Sequence, residues 1–300
     1  MTRDLVLRAG QTAHGPYTLD LTPERAGWRF SGLKVVELPA GGSVELATGE
    51  DEMLVLPLAG GCAVEVEGQR HELTGRPDVF TAVTDYLYLP RDTTARLSSA
   101  AGGTVALPTA RAERRPAVSY QDAGRVRTEL RGAGQCSRQV NNYALGNDVE
   151  TDHLLVCEVL TPGGNWSSYP PHKHDEHTEH ERELEEIYYY VVRPGPVGPG
   201  FAVHRTYGTP RRPVDITAEV RTGDVVLVPH GYHGPAMAAP GYDLYYLNVM
   251  AGPAPDRTWL MTIDPAHDWV RDTWEDLPVD PRLPMTRPVP PRPPEPEERR

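Results

Sequence analysis

The 300-residue chain carries a net charge of −12, with its Arg and Lys scattered among acids, which does not suit a nucleic-acid scaffold. No apolar run approaches the ~20 residues that span a bilayer, and the opening MTRDLVLRAGQTAHG has no apolar stretch behind its charges, so neither a membrane segment nor a signal peptide is expected. Three cysteines, Cys62, Cys136 and Cys157, without C-x-x-C spacing, fit a reducing cytoplasm rather than a disulfide framework.

Glycine and proline punctuate short apolar runs along the whole chain, as in a β-protein rich in turns. From the N-terminal side, strands are expected over Trp28–Leu38, Ser43–Ala47, Glu52–Leu58, Cys62–Val66, Asp78–Val83, Asp85–Leu89 and Thr104–Leu107. The turn signals recur about every eight to twelve residues, the rhythm of a sandwich or barrel. The stretch Arg111–Asn142 is more charged, has no helical apolar stripe, and reads as a connector with one or two strands. Further strands are expected at Asp152–Leu160, Phe201–Tyr207, Asp215–Val220, Val225–Val228 and Tyr242–Met250. Past Asp272 the periodicity fades. The proline-rich Pro278–Arg300 is expected to be a disordered or surface-draped tail, dispensable for folding and activity.

A weak internal repeat relates Glu52–Gly61 (EMLVLPLAGG) to Glu186–Gly195 (EIYYYVVRPG). It predicts an all-β fold of two jelly-roll β-barrel units. Residues 1–135 would form an N-terminal unit lacking a metal site, with its connector. Residues 136–275 would form the metal-binding unit, and 276–300 the tail.

The second copy is preceded by NWSSYPPHKHDEHTEHERELEEIYYY, Asn165 to Tyr190. On a strand His172 and His174 share a face and Lys173 takes the other. A lone H-x-H often marks two solvated histidines. Here it is followed by Glu186 ahead of an aromatic strand, and then by GDVVLVPHGYH with His233. That order of three imidazoles and a carboxylate predicts a metal site of His172, His174, Glu186 and His233. His177, His180, His204, His230 and His267 are expected to be non-ligands, Lys173 a solvated or interface residue, and the acidic insert 175–185 a solvated loop, with a mobile flap as the alternative.

These motifs match the cupin superfamily: Gly164, His172, His174 and Glu186 fill its first motif, and Gly223, Pro229, Gly231 and His233 its second. One residue, where the pattern has two, separates Gly231 from His233. The strings RGAGQCSRQVNN, GNWSSYPPHKHD, LEEIYYY, GDVVLVPHGYH, GYDLYYLNVMAGP and DPAHDWV resemble the bacterial 5-deoxy-glucuronate isomerase family of myo-inositol catabolism, over most of residues 1–275. That family is similar to the uronate ketol-isomerases, which share a bicupin plan and a three-His, one-Glu site. The resemblance implies conversion of 5-deoxy-glucuronate to 5-dehydro-2-deoxy-gluconate, through an enediolate or a hydride shift, with a divalent metal, zinc or manganese ahead of iron. A cupin dioxygenase and a non-catalytic uronate-binding cupin are the alternatives.

For such a reaction Glu186 is a ligand or a ligand that also acts as base, while Tyr188 and Tyr246 are candidates for handling protons. Tyr190 and Asn248 are candidates for holding hydroxyls. Arg205, mid-strand among Phe201, Val203 and Tyr207 on the face expected to be buried, is the first choice for the substrate carboxylate, and Arg138 the second. Core packing and a structural ion pair are the competing readings for the tyrosines and Arg205. Beyond the small uronic acid no nucleic-acid or membrane partner is expected; open sheet edges leave room for a homo-oligomer.

Overall fold

A computed structural model describes residues 4–145 and 149–288. Among the described residues nearly every regular element is a strand, and the one α-helix is the four-residue Pro23–Ala26. The first large sheet runs, in spatial order, Ser119–Gln121, Tyr86–Leu89, Asp51–Val66, Gly103–Arg111, Ser31–Leu38 and Tyr17–Leu21. Past a register break between Pro57 and Ala59, the far half of Asp51–Val66 leaves this layer. There it pairs with Gln69–Arg76 and Thr94–Ser99, closing a first barrel.

The second barrel opposes two sheets. One runs Val6–Leu7, Val225–Val228, Glu185–Val192, Leu244–Ala251, Leu155–Thr161, Arg138–Asn142, Arg127–Arg131. The other runs Arg212–Val220, Ala202–Thr209, Tyr232–Ala238, His172–Lys173, Thr262–Ile263, with Trp166–Ser167 beside Tyr232–Ala238. The two-barrel, all-β architecture expected from the repeat is therefore present. The connector differs in detail. Arg127–Arg131 and Arg138–Asn142 form a hairpin within the second barrel's sheet, so a division at residue 135 cuts that hairpin; we propose placing it ahead of Arg127. The strand expected at Asp78–Val83 is instead a turn, because the Asp78 carboxylate accepts the Phe80 N–H at 2.7 Å and competes with sheet pairing.

Strand parity sorts the apolar residues into three cores. Leu155, Cys157 and Val159 face the second barrel's interior with Tyr188, Tyr190 and Tyr246. Val156 and Leu160 face the other way. With Ile187, Tyr245 and Leu247 they pack on Leu54, Leu56, Tyr86 and Tyr88 of the first barrel. Strands buried on both faces lose the apolar–polar alternation, which is why these runs read as continuously apolar. The third core fills the first barrel around Val36, Val55, Val64, Leu87 and Leu97.

Buried carboxylates fasten the barrels together. Glu158 and Arg76, both at 0% side-chain exposure, form a two-pronged ion pair at 3.0 and 2.8 Å. Asn141 and Tyr143 donate to the same carboxylate. Glu52 accepts the main-chain N–H groups of Asp152, His153 and Leu154 at 2.6, 2.6 and 2.7 Å.

The described part of the proline-rich segment is fastened to the second barrel by hydrogen bonds. Thr286 is 2% exposed and exchanges hydrogen bonds with Gln139, while Asp280 donates its N–H to Ser137 Oγ and its carboxylate accepts from Asn165 Nδ2 and Arg282. Val83 donates its N–H to the Arg287 carbonyl. Residues 289–300 lie outside the described residues.

Candidate active site

His172 and His233 stand directly opposite each other on paired strands, and His174 follows one turn of the pleat later. Their ligand atoms all lie within 4.8 Å of one another. The one-residue spacing from Gly231 to His233 is accommodated by the backbone. Gly231 takes φ +90°, and a Cβ there would sit 2.8 Å from the Tyr207 carbonyl oxygen.

Each imidazole is oriented by the main chain. Nδ1 of His172, His174 and His233 lies 3.3, 3.1 and 3.2 Å from the carbonyls of Pro170, Leu184 and Gly231. A carbonyl only accepts, so each Nδ1 carries the proton and each Nε2 is turned to the centre. Glu186 enters from the facing sheet, with Oε2 at 3.0 Å from His174 Nε2 and 2.9 Å from His233 Nε2. Its neighbour Glu185 points to the opposite face and accepts the N–H groups of Arg29, Phe30 and Ser31 from the first barrel.

Burial, with the neighbouring His233 and His174, pushes the His172 pKa well below its ordinary value. Burial also works against charge on His174, but the Glu186 hydrogen bond outweighs it and raises that pKa. Glu186 resists the upward pull of burial because His233 and His174 hold its carboxyl far below the usual range. A cluster of three imidazoles and one ionised carboxylate fits a divalent cation. His233 Nε2 sharpens that fit: with the ring's proton on Nδ1, it turns a buried lone pair toward the Glu186 carboxylate 2.9 Å away, two electron-rich atoms that a cation between them would satisfy.

The cluster opens into a cavity of about 440 Å³, with His172 and Glu186 in its wall. Tyr188, Tyr246 and Asn248, expected at the site, line it. Ser168, which the sequence reading missed, sits between the two phenols, with Oγ 3.1 Å from Tyr188 and 3.0 Å from Tyr246. Burial, then the charge of Glu186, raises the Tyr188 pKa well above normal, and burial pushes Tyr246 up to about 12, so both phenols keep their protons. Asn248 Nδ2 is buried and has no hydrogen-bond partner among the described residues.

Arg138 also lines the cavity, and among the described residues no carboxylate pairs with it; its Nη1 donates to the Cys136 carbonyl at 3.1 Å. Burial pulls its pKa down. The cavity roof comes from the chain after the last long strand: Trp259, Met261 and Ile263, then Arg271 and Trp274 of the 3-10 helix Asp268–Asp276. No periodic pattern marked this segment as part of the site; its tryptophans and arginine were the available signal.

Two expected substrate residues are elsewhere. Arg205 is exposed, its guanidinium 4.4 Å from the Tyr207 ring, because Ala202, His204 and Thr206 are the inward residues of that strand. The face assigned from sequence was inverted. Tyr190 is buried beneath the cavity wall, its hydroxyl 2.6 Å from His204 Nδ1, and does not line the cavity. His204 also meets Thr206 Oγ1 at 2.7 Å, and burial with nearby His233 holds its pKa at about 3, so this buried histidine is neutral and spoken for.

Lys173 is on the far face from its flanking histidines, as expected, but it is buried rather than solvated. Glu181, 1% exposed, meets its Nζ at 2.9 Å and accepts the N–H groups of Asp175 and Glu176. Burial opposes the Lys173 charge; Asp175 and Glu181 overcome it and raise the pKa. The acidic insert is thus wrapped around an ion pair, with Glu176, His177, Glu179 and His180 left exposed.

Residues 5–270 match the KduI/IolB family. The chain is 43% identical over 256 residues to a protein of Geobacillus kaustophilus (strain HTA426) named 5-deoxy-glucuronate isomerase, covering 84% of this chain and 90% of that one. The Bacillus subtilis (strain 168) protein of the same name is 36% identical over 254 residues, covering 84% and 91%. Among solved structures, an IolB-like protein from Salmonella typhimurium LT2 superposes with a TM-score of 0.82 at 33% identity, over 89% of this chain and 99% of that one. Lactobacillus farciminis oxalate decarboxylase shares the cupin fold at 12% identity, with a TM-score of 0.63 over 88% and 89% of the two chains. With the match running through both barrels and most of the cavity roof, the chain belongs to the KduI/IolB family.

Proposed function

We propose that this chain is a metal-assisted aldose–ketose isomerase that converts 5-deoxy-D-glucuronate to 5-dehydro-2-deoxy-D-gluconate in the cytoplasmic catabolism of myo-inositol. The observation that carries the chemistry is the buried cluster of His172, His174, His233 and Glu186 opening into a cavity with Arg138, which no carboxylate pairs among the described residues. The names of the relatives supply the substrate. We assign His172, His174, His233 and Glu186 as ligands of a divalent ion, zinc or manganese, with iron as the alternative. Such an ion supplies Lewis acidity to the oxygens of the carbonyl carbon and its neighbour.

The chain's own residues do the rest. Isomerisation moves a hydrogen from C2 to C1 and rearranges protons on O1 and O2. Tyr188 and Tyr246, kept protonated by burial and joined through Ser168, hold protons at those oxygens. Asn248 Nδ2, without a partner among the described residues, donates to a hydroxyl of the bound chain. Arg138 replaces Arg205 as the partner of the substrate carboxylate. Glu186 has Oε2 committed to two imidazoles and serves as ligand.

The test is turnover of 5-deoxy-glucuronate by protein stripped with a chelator and reloaded. Activity should vanish on stripping and return with zinc or manganese. Full turnover without metal contradicts the metal assignment; no turnover with zinc, manganese or iron contradicts the isomerase.

A further inference from the structure

The inward residues of the second barrel's large sheet form rows whose chemistry changes with position. Glu186 lies at the cluster end. Two residues along the same strand, Tyr188 pairs across to Asn248. In the following row Tyr246 pairs with Val159, and Val159 with Val140. Arg138 lies two residues beyond Val140 on the same face and pairs with Arg131. The cavity floor is therefore ordered as ligand cluster, hydrogen-bonding groups, two valines, arginines.

A separate segment lines the same cavity with apolar side chains from the cluster end to the cations. Ile263 pairs with His172 at the cluster end. Met261 comes next among the cavity residues, then Trp259, whose ring lies 5.3 Å from the Arg131 guanidinium. On the large sheet the two valines lie between the hydrogen-bonding groups and the cations, and Met261 lines the same cavity.

We propose that Val140, Val159 and Met261 form a methylene subsite that reads the missing C5 hydroxyl, with Arg138 gripping the adjacent C6 carboxylate. This rests on the isomerase reading above. If C1 and C2 sit at the ligand cluster and C6 at Arg138, C5 is the carbon next to the carboxylate and falls beside the valines. A 5-hydroxyl placed there loses its water and gains no partner, which disfavours it by up to about 10²-fold, the usual limit for an apolar pocket rejecting an added hydroxyl.

The experiment compares kcat/KM for 5-deoxy-D-glucuronate and for D-glucuronate, in the wild-type protein and in Val159→Thr and Val140→Thr. Comparing the ratio between proteins cancels the different open-chain fractions of the two sugars. Threonine keeps the shape of valine and offers a hydroxyl, so the preference for the 5-deoxy substrate should fall about tenfold in at least one variant. An unchanged ratio in both overturns the subsite. Arg138→Gln tests its carboxylate end independently: the preference of the wild-type protein for the acid over its C6 carboxamide should be lost, and a preference retained in full overturns that assignment. If the metal-loaded wild-type protein converts neither sugar, the isomerase reading itself falls, and the subsite with it.

Discussion

Glu185 and Glu186 are neighbours in sequence with unrelated tasks, because a strand turns successive side chains to opposite faces. One fastens the first barrel; the other completes the cluster of imidazoles. The same rule made His172, His174 and Glu186 legible from spacing alone, and it failed at Arg205. There the sequence shows alternation without saying which set is inward, and small Ala202 with polar His204 and Thr206 proves to be the buried set. Ser168 was illegible for another reason: its position between two phenols is set by residues 20 and 78 places further along the chain. Replacing His172 and His174 together with Ala should abolish tightly bound metal, read by elemental analysis, and full retention would refute the ligand set. Ser168→Ala should lower kcat by at least about tenfold with little change in KM, since proton handling rather than binding is impaired. A change confined to KM would contradict that role.

At the scale of elements, the turn that carries Ser168 is held by a glycine on the neighbouring strand. Gly234 takes φ +95°, and a Cβ there would lie 1.7 Å from the Ser168 carbonyl oxygen. Gly234→Ala should therefore cost at least ~2 kcal/mol in stability. Denaturant unfolding reads this, and an unchanged midpoint would show that the close approach is relaxed in solution. The insert 175–185 shows why its charge misled. A run rich in Glu and His reads as solvated, yet Glu181 is buried to neutralise Lys173, a pairing that depends on three-dimensional proximity. The roof segment 259–277 was missed because short irregular pieces have no period to detect.

For the whole molecule, the repeat and the turn rhythm revealed two barrels, whereas the fastening between them depends on side chains that sequence spacing does not connect. Arg76 and Glu158 are 82 positions apart and fully buried together. Arg76→Met should destabilise by about 3–5 kcal/mol because it strands a buried carboxylate, and adding Glu158→Leu should recover part of that loss. No recovery in the double variant would mean that packing, not stranded charge, dominates. Truncation before Pro278 should lower the urea midpoint by the equivalent of about 1–3 kcal/mol, since Gln139 loses its buried partner Thr286; an unchanged midpoint would support the view that the tail is dispensable.

The most direct test of the central claim is proton NMR of the metal-loaded protein with 5-deoxy-D-glucuronate in heavy water. The aldehyde-hydrate signal should decay and a ketose CH₂OH signal grow, with deuterium at C1 if the hydrogen passes through an enediol exchanging with solvent and none if it moves as a hydride. An unaltered substrate spectrum, after loading with each of zinc, manganese and iron, would contradict the account.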